Sequence, residues 1–133
     1  MADNYGANQY KQTSIKTANR GQLLIMLYEA AIRNIKKAAA ALEKKDLVEK
    51  GATIGKVHDI IMELLNTLDF DAGGNIARDL ESLYNFMIEQ LVKANIENNK
   101  EPLRVVQKLL ESLLGAWREA VIQVNREAAK TIE

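Results

Sequence analysis

Histidine is the side chain that most readily moves a proton or holds a metal near neutral pH, and this chain has one, His58. In a helical protein two chemistries could use it. A di-metal carboxylate bundle needs Glu-x-x-His pairs on two helices, but the residue three before His58 is Gly55 and there is no second histidine. A phosphotransfer domain, also a small bundle with one working histidine, needs that histidine to face solvent. His58 falls within the arc of Ile54, Ile61 and Leu65, which turns it inward or to a groove edge. A core or boundary histidine is therefore expected, with a histidine phosphotransfer-type signalling domain as the alternative. The chain has no cysteine, so disulfides, thiolate metal sites and cysteine nucleophiles are excluded, which fits a reducing cytosol. Gly73-Gly74 follows no strand and reads as a turn, not a phosphate loop. Glu29/Arg33 and Glu89/Lys93, spaced i, i+4, read as solvated helix faces. Met87 falls in a core stripe, where a methionine fills gaps. No catalysis, metal or cofactor is expected.

The elements that would carry these residues are helical. With 133 residues, of which 47% are hydrophobic, the chain has the length of one domain and the composition of a globular one. Eighteen basic residues balance 18 acidic ones, which gives no support to nucleic acid as a partner. The opening "MADNYGANQYKQTS" is no signal peptide, and no apolar run approaches a membrane span of ~18 residues. One proline, Pro102, and few turn clusters leave the helices little interrupted. Residues 1–18 are polar and read as a mobile N-terminal arm. Asn19 and Gln22 form a capping box that opens a first helix running to about Lys45. Asp46 and Glu49 form a second box for a helix to about Leu68. "DFDAGGN" is the clearest loop, a third helix spans about Asn75 to Asn98, and a fourth starts near Glu101 with Pro102 in its first turn. Residues 127–133 are expected to fray. Similar helix lengths and short loops predict an all-α, antiparallel up-down four-helix bundle over residues 19–126.

Expected core stripes are Leu23, Leu27, Ala30 and Leu42; Ile54, Val57, Ile61, Leu65 and Leu68; Ile76, Leu80, Leu83, Met87, Leu91 and Ala94; and Val106, Leu110, Leu113, Trp117, Val121 and Val124. Gly51 and Gly55 stand four apart and mark either a close helix–helix contact or tolerated weak points.

More apolar surface is present than these stripes use. In "GQLLIMLYEAAIRNI" a second stripe with Ile25, Tyr28, Ile32 and Ile35 lies beside the first, and together they cover roughly 200° of a wheel where a surface helix buries little over ~100°. The third helix adds Tyr84, Ile88 and Val92, and the fourth Val105, Leu109 and Ala116. Soluble monomers rarely leave so much uncovered. A partner helix is the natural cover, and Leu24, Tyr28, Ile32, Ile35, Tyr84 and Ile88 are the expected contacts. Tyr10 and Ile15 of the arm would cover part of this surface in the free chain.

"LLIMLYEAAIR", "LNTLDFDAGGNIARDLESLYNFMIEQLVKANIEN" and "LLESLLGAWREAV" resemble the flagellar secretion chaperones of the FliS family. Tyr10, Gln12 and "IKTAN" match that family's Tyr-x-Gln-x-x-x-x-x-Thr-Ala pattern, and the likeness runs over roughly residues 5–122. The chain departs from the family at the start of the first helix, where Asn19, Arg20, Gly21 and Gln22 replace Ser or Thr followed by Pro-Gly-Glu. The resemblance implies a cytoplasmic chaperone without cofactor that binds the C-terminal segment of flagellin. Such a protein would prevent premature polymerisation and touch the flagellar export gate at the membrane transiently, without inserting. It also implies that the client wraps around the bundle and that the arm can occupy part of its groove.

Overall fold

The computed structural model describes residues 2–132, and the side chains of residues 20–130. These residues form α1 (Ala2–Glu43), α2 (Leu47–Asn66), α3 (Phe70–Glu97) and α4 (Lys100–Ile132). Each helix packs on its neighbours in ring order, α1 most closely on α2 and α4. Cross-links fix the directions. Lys50 at the start of α2 reaches Asn95 and Asn98 at the end of α3, and Lys100 at the start of α4 meets Glu43 at the end of α1. The result is an antiparallel up-down four-helix bundle.

Local chemistry sets the helix ends. Lys45 takes a left-handed conformation (φ 58°), while Asp46 N–H donates to Ala41 O and Lys45 N–H to Leu42 O. This is a Schellman stop that closes α1. Asp46 then caps α2 by accepting from Glu49 N–H. Asn98, also left-handed, ends α3, and Asn99 accepts from Glu101 N–H to open α4, with Pro102 in its first turn as expected.

Two starts differ from the sequence reading. α1 begins at Ala2 rather than Asn19, because residues 2–18 hold no proline and include Ala, Gln and Lys, which continue a helix readily. α3 begins at Phe70 rather than Asn75. Asp69 accepts from Asp71 N–H and Ala72 N–H, so "DFDAGG" winds into one capped turn. A kink at Gly74 (φ 52°, ψ −123°) joins it to the main helix. Only glycine takes that backbone conformation without strain.

The core follows the expected stripes on three helices: Ile54, Val57, Ile61, Leu80, Met87, Leu91, Ala94, Val106, Leu110 and Val121 are buried. On α1 the phase is inverted. Tyr28, Ile32 and Ile35, expected on the surface, are buried, with Ile25, Ala31, Ala38 and Ala41 beside them. Leu23, expected in the core, is 57% exposed. The wheel offers two stripes of similar hydropathy, and packing chooses between them. Tyr28 and two β-branched isoleucines fill the centre of the bundle, while the alanines allow α1 to approach its neighbours. Ile76, also expected in the core, is 69% exposed because it lies just past the kink. Gly51 and Gly55 make no close contact: a Cβ at either would meet nothing within 4 Å.

Candidate functional site

Part of the surplus apolar surface lies where α1, the end of α2 and the start of α3 meet, and part at the other end, where Leu47, Val48 and Ile96 are exposed. A groove of about 450 Å3 runs along α1 between Arg20, Leu23, Leu24, Leu27 and Thr67. A cleft of about 340 Å3 adjoins it, sharing Leu24 and Thr67. It passes under the Asp69-capped turn to Leu80, Tyr84 and Trp117. Leu23, Met26, Phe70 and Ile76 stand exposed nearby, at 57%, 62%, 43% and 69%. The groove is possible because α1 and α4 come very close there: a Cβ on Gly21 would lie 2.7 Å from Val121 Cγ2. This approach draws α4 onto α1 and sets Trp117, one turn before Val121, against the cleft.

Beneath the cleft lies a small polar cluster. The hydroxyls of Tyr28 and Tyr84 are hydrogen-bonded to each other inside the core. Burial raises the pKa of both; the bond to Tyr84, and after it the indole of Trp117, favour the ionised form of Tyr28. The indole N–H nevertheless reaches no hydrogen-bonding geometry: Trp117 Nε1 is buried without an acceptor. The ring is half-buried and packs against the core from its edge, whereas the sequence pattern places Trp117 within the core.

A larger depression of about 640 Å3 lies at the opposite end, near Leu42, Glu97 and Asn99. Its charged wall is internally paired: Lys100 Nζ and Glu43 Oε1 are 2.7 Å apart, and this bond holds the Glu43 carboxyl below the usual carboxylate range. Glu43, Lys100 and Glu101 of its wall already have partners.

Of the residues expected to contact a partner, Leu24 lines the groove and Ile88 is half-buried on α3. Tyr84 is buried but forms part of the cleft wall. Tyr28, Ile32 and Ile35 are core residues and cannot meet a partner while the bundle is closed. Tyr10 and Ile15 lie outside the residues whose side chains are described. Sequence reasoning missed Leu23, Met26 and Ile76 as surface. Met26 carried a usable signal, since methionine is common on adaptable binding surfaces. His58 stands at the bundle boundary with its Nδ1 3.8 Å from Asp59 Oδ1. Among the described residues no cluster of three or more His, Cys, Asp or Glu could hold a metal, and no helix is long and apolar enough to cross a membrane.

An apolar groove on a helical bundle has the shape to receive a helix, and comparison with known proteins gives the family. The pattern described as "Flagellar protein FliS" matches residues 1–124. The chain belongs to the FliS family. It is 34% identical over 119 residues to the flagellar secretion chaperone FliS of Campylobacter jejuni, covering 90% of this chain and 93% of that protein. It is 36% identical over 113 residues to flagellar secretion chaperone FliSB of Pseudomonas aeruginosa, with 82% and 90% covered. The FliS of Salmonella typhimurium is 34% identical over 119 residues, with 86% and 88% covered. FliS proteins are flagellar chaperones and not enzymes, which removes the phosphotransfer alternative for His58.

Proposed function

We propose that this chain is a cytoplasmic export chaperone that binds the C-terminal segment of flagellin, holds it from premature polymerisation and helps deliver it to the export gate at the membrane. The observation that supports this reading is the continuous apolar groove and cleft at the α2–α3 end, larger than a self-sufficient bundle needs to leave open. A client helix would lay its apolar face along Leu23, Leu24, Leu27 and Ile76, with Ile88 as an outlying contact. Residues 1–18, with Tyr10 and Ile15, would have to leave the line of α1 and fold back to cover part of the groove until the client arrives. Because formal charge is balanced at 18 basic and 18 acidic residues, burial of apolar surface should dominate. Titration of the flagellin C-terminal segment in a calorimeter should show a clearly negative heat-capacity change and weak salt dependence. The same complex should delay flagellin polymerisation followed by light scattering. Absence of binding, or a steep loss of affinity with salt, would overturn the reading.

A further inference from the structure

The charge of the chain cancels in total but not in space. Residues 33–45 hold five basic side chains, Arg33, Lys36, Lys37, Lys44 and Lys45, against one acidic side chain, Glu43. All five are exposed. Arg33, Lys36 and Lys37 lie within about 100° of one another at 100° per residue, outside the buried arc of Ile35 and Ala38. Lys44 and Lys45 follow in the turn that closes α1. Among the described residues none of the five forms an ion pair. Glu43 is held by Lys100, and Glu29, four residues before Arg33, pairs with Arg118 instead. On α3, diagonally across the ring from α1, the balance is reversed, with five acidic residues against Arg78 and Lys93.

The chemistry of this face narrows its partner. Four of the five cations are lysines, hydrated point charges on flexible stems, whereas recognition of a fixed carboxylate or phosphate favours the planar fork of arginine. No aromatic side chain lies between Arg33 and Lys45, and residues 38–41 are all alanine, so the face offers no platform for stacking bases. Its exposed positions carry no large apolar side chain to enter hydrocarbon. Mobile lysines on a convex helix face suit a fluid array of anionic headgroups, each free to move to a cation. We infer that this face of α1 rests on the surface of a membrane rich in anionic lipids, held by headgroup charge and without insertion. The acidic α3 on the far side helps to turn the basic face toward such a surface. None of the five lines the groove or the cleft, so the inference goes beyond the chaperone reading and does not depend on it.

Sedimentation of the full chain with phosphatidylglycerol vesicles should show binding that weakens steeply with added salt, and phosphatidylcholine vesicles should bind none. Each cation at the surface strengthens such binding on the order of fivefold. Lys36→Gln/Lys37→Gln should therefore weaken it by about tenfold or more, and Lys44→Gln/Lys45→Gln likewise. Arg78→Gln/Lys93→Gln on α3 removes the same charge and should bind as the wild type does. Equal weakening by all three pairs would reduce the effect to net charge and overturn the inference. So would absence of vesicle binding, or binding indifferent to lipid charge. Polyglutamate or an oligonucleotide bound in place of the vesicles, and lost in the lysine variants, would assign the face to an acidic protein or a nucleic acid and overturn it as well. Affinity for the flagellin C-terminal segment should be unchanged in every variant; a loss there would make the face part of the client site and overturn the inference. If the wild-type chain fails to bind the segment while the vesicle results stand, the chaperone reading alone falls.

Discussion

The two ends of this bundle are built on opposite terms. At the α1–α2 end Lys50, 7% exposed, donates to Asn95 O at 3.0 Å and Asn98 Oδ1 at 2.6 Å. It thereby ties the start of α2 to the carbonyl end of α3, and at that carbonyl end a cation is also favoured by the helix dipole. Lys100 and Glu43 tie α4 to α1, and both turns close with bonded caps. At the α2–α3 end a helix turn hinges on a glycine, four large apolar residues face solvent, and a buried donor lacks an acceptor. At the first end the chain pairs its own polar groups across the helices, although Leu47, Val48 and Ile96 stand exposed there. The second leaves apolar surface open that a partner can cover, and it coincides with the groove. Stability and binding are therefore expected to respond to different residues, and mutation can separate them.

The largest loss should come from the tyrosines between the two ends. Tyr28→Ala empties the centre of the core and should cost about 3–5 kcal/mol in urea melts; a cost below about 1 kcal/mol would return Tyr28 to the surface. Tyr28→Phe should cost about 1–3 kcal/mol because it leaves the Tyr84 hydroxyl unpaired. The double Tyr28→Phe/Tyr84→Phe variant should cost less than the sum of the singles. The pair also sets an alkaline limit. Burial raises both tyrosine pKa values above the ordinary 10.0. Below pH 10 the neutral hydroxyls are present in both folded and unfolded chains, and their contribution is intact. Above it the unfolded chain ionises first, so stability should fall as pH rises, and less steeply in the double phenylalanine variant.

The tied end comes next. Lys50→Met keeps the aliphatic stem and deletes the ammonium, leaving Asn95 O and Asn98 Oδ1 without their donor. A loss of about 1–3 kcal/mol is expected, with client affinity unchanged, because the groove lies at the far end. A parallel loss of affinity would show that the ends are coupled. At the open end, Gly74→Ala forces a Cβ into the φ 52°, ψ −123° conformation and should cost about 1–2 kcal/mol. It should also disturb the turn over the cleft, so here stability and affinity should fall together.

These contrasts explain what was legible in the sequence. Helix number, order and three of the four core stripes follow from periodicity, because on α2, α3 and α4 one face is clearly the more apolar. α1 misled because both of its stripes are apolar. Only packing distinguishes them, through the Tyr28–Tyr84 hydrogen bond between residues 56 positions apart in the chain. No wheel contains that contact. The existence of a surplus was legible as a total, but its location was not: it depends on how Gly21 lets α4 approach and on the turn at Gly74. The paired glycines of "DFDAGGN" announced a break, and the Asp69 cap that turns the break into a covering turn was hidden in what read as loop.

The smallest effect on stability should accompany a large effect on binding. Leu23 and Met26 are 57% and 62% exposed, so replacing them removes little buried area, and surface changes of this kind usually shift stability by no more than about 0.5 kcal/mol. Leu23→Ser with Met26→Ser should therefore melt almost as the wild type does. Leu23 lines the groove, and its loss strips apolar contact from any helix lying there. Two such contacts near the centre of an interface are worth about 1–3 kcal/mol, or roughly ten- to a hundredfold in affinity for the flagellin segment. Lys50→Met is the matched control at the tied end, with the opposite pattern of lost stability and kept affinity. If the Leu23/Met26 variant binds as tightly as the wild type, the client does not use this face of α1, and the exposed end serves some contact other than the proposed one. If it unfolds, Leu23 is part of the core after all, and the distinction between a finished and an unfinished end of the bundle fails with it.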